Sequence, residues 1–332
     1  MPQSSRTDTA AGGDKVVYLL KPRGFCAGVV RAIDIVALAL EAYGAPIYVR
    51  REIVHNRHVV KDLASRGAIF VDELDEVPVD SRVVYSAHGV SPEVRRQAAH
   101  RRLNVIDATC PLVTKVHLEA VKAARSQGTI LLIGHRDHEE VVGTRGEAPE
   151  RTMVVSSADE ARSISVAEPD NLHYLTQTTL SLDEAGEIIA VLRERFPKIQ
   201  GPPAQDICYA TENRQQAVKR AAARFDLLLV VGSQNSSNSK RLVEVGSNVG
   251  VKGHLIDDER DINPAWLVAA SAVGLTAGAS APEVLVERVV ARLGELGFPR
   301  VEEIEVIEED VVFPLPPELA SAQGALTQIA TP

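Results

Sequence analysis

Three widely spaced cysteines each follow a short apolar run and precede a helical pattern. They are Cys26, Cys110 and Cys208, in the segments VVYLLKPRGFCAG, NVIDATCPLV and AQDICYATEN. Their spacings are far longer than those of the Cys-x-x-Cys pairs found in structural zinc sites. The three thiols can therefore act together only if the fold brings three separate loops to one centre.

The segment after each cysteine repeats the same order of patterns, with a period of roughly 85 to 100 residues. A helical pattern leads to an apolar strand and a polar loop, then to a second helix and strand, and then to a strand that ends in small polar residues. Strands and helices in this order build parallel α/β sheets, whose ligands bind at the carboxyl ends of the strands. The sequence therefore predicts three similar α/β domains with mainly parallel sheets around a pseudo-threefold axis, and a central cavity lined by the cysteines and polar loops.

The expected domain limits follow these repeats. The three α/β domains span 15–106, 107–205 and 206–298, with one cysteine in each. The segment 299–317 is acidic at first and then apolar and proline-rich, and we expect it to pack on the core, as an edge strand of one domain. The polar leader, 1–14, and the small-residue tail, 318–332, are predicted to be disordered.

Composition limits the functional classes. A net charge of −9 and an aromatic content of 4% argue against nucleic acid as a partner. The sequence contains no run of about 18 apolar residues that would predict membrane insertion, and the leader lacks the apolar core of a signal peptide. We therefore expect a cytoplasmic protein, in which reduced cysteines serve as ligands or nucleophiles rather than as disulfides.

Three thiolates could bind zinc, copper(I) or an iron–sulfur cluster. Without a close cysteine pair, a single metal would need a histidine to complete its shell. A [4Fe–4S] cluster usually takes four thiolates, so three would leave one iron open to a substrate. Free cysteines are often inert core residues, but three at equivalent positions of a repeat favour a shared cluster.

Polar loops supply candidate groups around this centre. The loop GHRDHEEVVGTRGE places His135, His138, Glu139 and Glu140 within six residues, and a buried carboxylate there could be a general acid. Composition does not decide which of the two glutamates would be the general acid. Other loops carry hydroxyl, amide and imidazole groups without lysine or arginine, which predicts a phosphate or diphosphate site built from neutral donors and histidines. No motif for a dinucleotide or a nucleoside triphosphate is present.

Eight segments resemble those of the 4-hydroxy-3-methylbut-2-enyl diphosphate reductase family, also called IspH or LytB. They are PRGFCAGV, YVRREIVHN, YSAHGVSP, DATCPLV, LTQTTLS, DICYATENRQ, GSQNSSNS and TAGASAP. The resemblance implies an oxidoreductase of the non-mevalonate isoprenoid pathway. It would remove the hydroxyl of an allylic diphosphate to give isopentenyl and dimethylallyl diphosphates. The resemblance also implies one oxygen-sensitive [4Fe–4S] cluster per chain and a ferredoxin- or flavodoxin-type electron donor.

The resemblance implies a role for each matching residue. The cluster would be held by Cys26, Cys110 and Cys208. Glu140 would donate protons, aided by Thr178, which would also hydrogen-bond near the substrate hydroxyl. The remaining substrate contacts would come from His55, His88, His138, Ser236, Ser237, Asn238 and Ser280.

One position departs from the family pattern. The family usually has proline before the catalytic glutamate, where this chain has Glu139. A second carboxylate that faces the cavity would raise the pKa of Glu140, whereas one that faces solvent would not.

Other functions stay open on this evidence. An iron–sulfur hydro-lyase would turn over without a reductant, and a metal-dependent hydrolase would contain zinc or iron without sulfide. A redox or phosphometabolite sensor would not need a proton donor. The chain is expected to be a monomer or a homodimer.

Overall fold

The computed structural model of the protein describes residues 15–319. Its strands over that range are β1 Val16–Lys21, β2 Ile47–Arg50, β3 Ala68–Val71, β4 Arg82–Tyr85, β5 Asn104–Asp107, β6 Thr129–Ile133, β7 Thr152–Val155, β8 Leu172–Thr176, β9 Leu227–Val231, β10 Lys252–Ile256, β11 Ala272–Ala277 and β12 Arg300–Glu305. Its α-helices are α1 Ala27–Tyr43, α2 Arg57–Ser65, α3 Pro92–His100, α4 Pro111–Arg125, α5 Glu139–Arg145, α6 Ala158–Ser163, α7 Leu182–Arg195, α8 Tyr209–Ala221, α9 Ser237–Asn248 and α10 Glu283–Glu295.

The strands form three sheets, and every pairing between them is parallel. The strand orders are β3-β2-β4-β5 in the first unit, β7-β6-β8 in the second and β10-β9-β11-β1-β12 in the third. Each sheet contains the same three-strand arrangement, in which the first strand of the unit lies between the second and the third. The predicted fold class, three α/β units with parallel sheets in a pseudo-threefold arrangement, is confirmed.

A fourth position beside the third strand explains where the cysteines lie. It is occupied by β5 in the first sheet, by β1 in the third, and in the second by the isolated bridge of Gln200 to His173 of β8. One cysteine follows each fourth position and begins a helix of the next unit. These helices are α1, α4 and α8, which pack on the first, second and third sheets respectively.

The position of β1 differs from the expected domain limits. The expected first domain, 15–106, includes β1, because each repeat is read forward from its cysteine. In the structure Val16 pairs with Ala272 of β11 and with Arg300 of β12, so β1 lies inside the third sheet. The reason is that the strand before each cysteine completes the preceding unit. The other domain limits stay a prediction.

Helices cover both faces of the sheets, and this explains why the strands are apolar runs rather than alternating patterns. In β9 every side chain is buried. Leu227 and Leu229 point to one face and pack with α10, while Leu228 and Val230 point to the other and pack with α8 and α9. Because both faces of the sheet are apolar, polar groups collect in the loops at the strand ends.

The segment after β12, itself an edge strand, runs back over the helices that follow the cysteines. Glu309 lies 3.0 Å from Arg214 of α8, whose side chain is fully buried. The Nε of Arg31 in α1 donates to the carbonyl of Pro314 at 2.7 Å. These contacts fasten the C-terminal segment to two of the three helices.

The ends of the chain change one expectation. Leu319, assigned from the sequence to a disordered tail, is fully buried in the apolar core of the first unit. The tail therefore cannot begin at residue 318. The predicted disorder of 1–14 and of the chain beyond 319 lies outside the described residues. Within 15–319 no helix has the length and apolar character needed to cross a membrane.

Candidate active site

One cavity collects loops from all three sheets, because the carboxyl ends of their strands face a common centre. The first unit lines it with His55 and His88, the second with His138, Glu140 and Thr178, and the third with Ser236, Ser237, Asn238 and Ser280. The three cysteines line it as well. The structure thus brings every predicted site residue together, while the role of each stays a prediction.

Each cysteine is the N-cap of a helix: Cys26 precedes α1, Cys110 precedes α4 and Cys208 precedes α8. The partial positive charge at a helix N-terminus favours a thiolate there. The Cys208 sulfur also accepts the backbone N–H of Thr211 at 3.4 Å. A methyl group on Gly28 would lie 2.7 Å from Cys110 Sγ and 3.9 Å from Cys26 Sγ, so two of the sulfurs meet at this glycine.

The cysteine surroundings fit a cationic group with thiolate ligands. Burial, and then the charge of Cys26, raise the pKa of Cys110 to about 12 and that of Cys208 to about 11. Three neighbouring thiolates in a cavity need a cationic partner, and within 15–319 no lysine or arginine lines the cavity. Among residues 15–319, no three cysteine, histidine, aspartate or glutamate side chains are placed to hold one metal ion. The donors therefore fit an iron–sulfur cluster, with a separate iron for each thiolate, better than a single zinc.

Glu140 lies in the first turn of α5 and is 2% exposed. Its Oε1 accepts the backbone N–H of Thr178 at 2.6 Å, and its Oε2 accepts the Thr178 hydroxyl at 3.0 Å. Burial raises the pKa of Glu140 to about 7, with a further contribution from Asp206, although the Thr178 bonds act in the opposite direction. A carboxyl group with this pKa is partly protonated at neutral pH, as a general acid requires.

Glu139 contacts a histidine rather than the neighbouring acid. Its Oε2 lies 3.3 Å from His88 Nδ1, and the side chain does not line the cavity. Burial acts to raise the pKa of Glu139, but the contact with His88 lowers it overall. The carboxylate that raises the pKa of Glu140 is Asp206. The structure therefore gives no support to the idea that Glu139 raises it.

Three imidazoles form a cluster in the cavity. The rings of His55 and His88 stack with centroids 4.1 Å apart, and His138 lies edge-on to them at 5.6 and 5.8 Å. His138 Nδ1 accepts the backbone N–H of Glu140 at 3.2 Å. Burial, and then His88, lower the pKa of His138 to about 2. This ring is therefore neutral and carries its proton on Nε2.

Hydroxyl and amide groups of the third unit surround the start of α9. The Ser236 Oγ accepts a backbone N–H of the first turn at 3.3 Å. Asn238 Oδ1 accepts the N–H of Ala279 at 2.9 Å, and Ser280 Oγ donates to the carbonyl of His55 at 2.9 Å. A helix N-terminus surrounded by small polar groups is a suitable site for a phosphate.

The family model described as LytB protein matches residues 17–294. The chain belongs to the LytB family. This confirms the resemblance of the eight sequence segments.

Curated LytB relatives align over almost the whole chain. A protein of Acidothermus cellulolyticus is 58% identical over 320 residues, which are 95% of this chain and 94% of the relative. One of Leifsonia xyli subsp. xyli is 56% identical over 313 residues, 94% and 93% of the two chains. Both are named 4-hydroxy-3-methylbut-2-enyl diphosphate reductase, and at this identity and coverage the chain is an oxidoreductase.

Solved LytB structures share the fold. One is titled the E-1-hydroxy-2-methyl-but-2-enyl-4-diphosphate reductase from Plasmodium falciparum. It is 38% identical with a TM-score of 0.92, and the match covers 95% of this chain and all of that one. A second is titled (E)-4-hydroxy-3-methyl-but-2-enyl diphosphate reductase, the terminal enzyme of the non-mevalonate pathway. It is 28% identical with a TM-score of 0.61 over 85% of this chain and 99% of that one.

Two cavity residues of this LytB chain, Tyr209 and Thr211, lie in the segment DICYATENRQ and are not among the predicted site residues. The Thr211 hydroxyl accepts from the side-chain amide of Asn238 at 3.2 Å, and the Cys208 thiol donates to it at 3.1 Å. The Tyr209 hydroxyl accepts the N–H of Ala27 at 3.2 Å. Their positions one and three residues after Cys208 are the signal that could have found them.

Two further residues differ from expectation. Phe313 lines the cavity from the C-terminal segment, and no local pattern in the sequence signals this. His135, grouped from the sequence with His138, does not line the cavity and instead contacts Arg241 of α9.

Proposed function

We propose that this LytB protein reduces 4-hydroxy-3-methylbut-2-enyl diphosphate to isopentenyl and dimethylallyl diphosphates, the last step of non-mevalonate isoprenoid precursor synthesis. The observation that carries the proposal is one cavity that joins three thiols, a buried acid and an anion site to which residues 15–319 contribute no lysine or arginine. The names of the curated relatives and solved structures support the same reaction.

The cysteines would hold one [4Fe–4S] cluster through their three sulfurs. When bound, such a cluster supplies electrons one at a time, and its iron without a cysteine ligand is a Lewis acid for an oxygen of the substrate. The chain contributes three helix N-termini that stabilise the thiolates. Two electrons would come from a ferredoxin- or flavodoxin-type partner.

A small residue between two sulfurs makes the cluster site testable by substitution. Gly28→Ala would place a methyl group 2.7 Å from Cys110 Sγ, which forces that sulfur to move. We expect iron and sulfide per chain after anaerobic reconstitution to fall by about half or more, since close-packed sites adapt poorly to an added methyl.

Gly186→Ala in α7 is the matched control for this change. Its added methyl meets no atom within 4 Å, so it should keep the iron content of the wild type. It should also stabilise the helix by up to about 1 kcal/mol. Equal iron and sulfide in the two variants would contradict the assignment of Cys110 as a ligand.

The substrate's diphosphate would lie against the first and third units. Ser236, Ser237 and Asn238 at the start of α9 provide hydroxyl, amide and backbone donors, and Ser280 lies beside them. His55, His88 and His138 would also contact the diphosphate or the substrate hydroxyl. This arrangement would hold the diphosphate by imidazole and hydroxyl donors and would direct the substrate hydroxyl toward the second unit.

Protonation would come from the second unit. The net reaction breaks one C–O bond, consumes two electrons and two protons, and releases water. Glu140 would give a proton to the leaving oxygen, with Thr178 holding both of its carboxyl oxygens in place. A second proton passing through the same residue would reach the allyl carbon.

Anaerobic turnover with dithionite and a viologen tests the proposal. We expect iron and sulfide in the purified protein, and conversion of the allylic diphosphate to both products only when reductant is present. Dehydration without reductant would indicate a hydro-lyase instead, and zinc without sulfide would indicate a hydrolase. Tight binding of the diphosphate without any conversion would indicate a sensor.

A further inference from the structure

The two nitrogens of each cavity histidine have different surroundings. His55 Nδ1 lies 3.1 Å from Glu52 Oε2, and His138 Nδ1 accepts a backbone N–H. His88 Nδ1 lies at an ion-pair distance of 3.3 Å from Glu139 Oε2, and within 15–319 neither of these two buried atoms has a hydrogen-bond partner. Within 15–319 none of the three Nε2 atoms makes a hydrogen bond, and none is a buried atom without a partner. Each Nε2 is therefore accessible from the cavity that these rings line.

Two of the three imidazoles therefore have a carboxylate behind them. Glu52 is itself held by Asn235, whose amide donates to the same Oε2 at 2.7 Å. The hydrogen bond with His55 is the main cause that lowers the pKa of Glu52. For Glu139 the contact with His88 lowers the pKa against the effect of burial. Both carboxylates are thus ionised at neutral pH and face an Nδ1 atom.

A carboxylate at Nδ1 determines whether the other ring nitrogen, Nε2, is a hydrogen-bond donor or an acceptor. Nδ1 must carry a proton to donate to the carboxylate, so Nε2 of a neutral ring is a lone pair and repels an anion. Nε2 becomes a donor only in the imidazolium form. In His138 the reverse holds, because its Nδ1 is an acceptor and its Nε2 already carries the proton.

The protonation of these histidines matters because an anionic substrate needs positive charge in the cavity. Among the described residues, 15–319, no lysine or arginine lines the cavity, so imidazolium is the side-chain cation that they offer to an anionic substrate there. His88 is faced by Glu139, Glu52, His55 and His138, and burial followed by His55 keeps its pKa low in the open cavity while the two carboxylates raise it. Two stacked imidazolium rings would repel each other unless each had its own counter-charge.

We propose that Glu52 and Glu139 are positioning residues that make His55 and His88 into paired cationic donors when a diphosphate enters the cavity. The proposal rests on the proposed function for the anion itself. On binding, each Nε2 takes one proton from the solvent and forms an N–H donor to a phosphate oxygen, while Nδ1–H stays on its carboxylate. The neutral His138 binds without a change of protonation.

Calorimetric titration of inorganic diphosphate into the anaerobic holoenzyme tests this. Titrations at about pH 8 in buffers of different ionisation enthalpy measure the protons taken up per diphosphate bound. Glu139→Gln keeps a hydrogen-bond acceptor for Nδ1 but removes the charge. We expect this variant to take up about one proton fewer and to bind diphosphate about tenfold more weakly, with the difference shrinking near pH 6, because a charged hydrogen-bond partner is lost.

Glu147→Gln is the matched control, because Glu147 lies 2.8 Å from His117 in a buried pair that does not line the cavity. It should leave proton uptake at the wild-type value. If Glu139→Gln does not fold, Glu52→Gln should show the same loss at His55.

The outcomes separate the two proposals. Proton uptake equal in the wild type and in both site variants would overturn the role of Glu52 and Glu139, even if the enzyme reduces its allylic substrate. A clear loss of proton uptake in a protein that performs no reduction would support the role and count against the proposed function. Failure of the wild type to bind diphosphate would overturn both.

Discussion

Glu140→Gln is expected to lower the turnover of the allylic diphosphate by about 10²- to 10⁴-fold, the usual contribution of a general acid. Glutamine keeps the shape and can still accept the backbone N–H of Thr178, but it has no proton to give. Iron, sulfide and binding of inorganic diphosphate should stay at wild-type values. Near-normal turnover in this variant would contradict the proton-donor assignment.

The pH dependence gives an independent check on Glu140. Because burial raises its pKa to about 7, wild-type turnover should fall as pH rises through that value. The contribution of Glu140 to folding stability should also fall as pH rises. The folded state binds more protons than the unfolded state between the ordinary pKa of a glutamate and 7, so this group's contribution to stability falls as pH rises through that window. Glu140→Gln should remove that slope, measured as the melting temperature of the apoprotein against pH.

Thr178→Val is the companion variant for Glu140. It deletes the hydroxyl bond to Oε2 but keeps the backbone bond to Oε1. We therefore expect a smaller loss of turnover than in Glu140→Gln, with the pH at which turnover falls moving upward, since the deleted bond lowers the pKa of Glu140.

The parts of the fold that depend on local sequence patterns could be predicted. Apolar runs such as LLLVV in β9, separated by helical patterns, are enough to predict parallel sheets covered on both faces. The place of β1 is not local information. An apolar run such as VVYLLK would suit a buried strand in any of the three sheets, and only its pairing with β11 and β12, far along the chain, decides between them.

The site, like the fold, was predictable only where local sequence patterns decide it. Cysteines at equivalent repeat positions predict a common centre, because equivalent strand ends of a pseudo-threefold fold face the same cavity. Composition could not rank Glu139 and Glu140. Adjacent residues on a helix point about 100° apart, so one reaches Thr178 and the other reaches His88. Both partners come from distant loops that the residues alone do not place.

The three units contribute different chemistry from equivalent positions. The loops after the first and third strands carry histidines in the first unit, the acid and its threonine partner in the second, and hydroxyl and amide donors in the third. The cysteines come from the fourth positions and are shared between neighbouring units. A change at any cysteine should therefore affect the whole site rather than one unit.

Replacing any one cysteine by serine is expected to abolish turnover and to remove most of the iron and sulfide. Serine keeps the helix N-cap but offers no thiolate, and two sulfurs cannot hold the cluster that three would. The apoprotein should stay close in stability to the wild-type apoprotein, because serine preserves the N-cap position of each helix. The loss of stability should thus appear only where the cluster would be bound.

Melting temperatures before and after anaerobic reconstitution separate ligation from folding. The wild type should gain stability on reconstitution, since a group that binds only the folded chain stabilises it. Each Cys→Ser variant should gain little or nothing and should lack the visible absorbance of the cluster. The Gly186→Ala variant should gain as much as the wild type. If all three Cys→Ser variants kept wild-type iron, sulfide and stabilisation, the cysteines would not be the ligands, and the cavity would need another explanation for its three thiols.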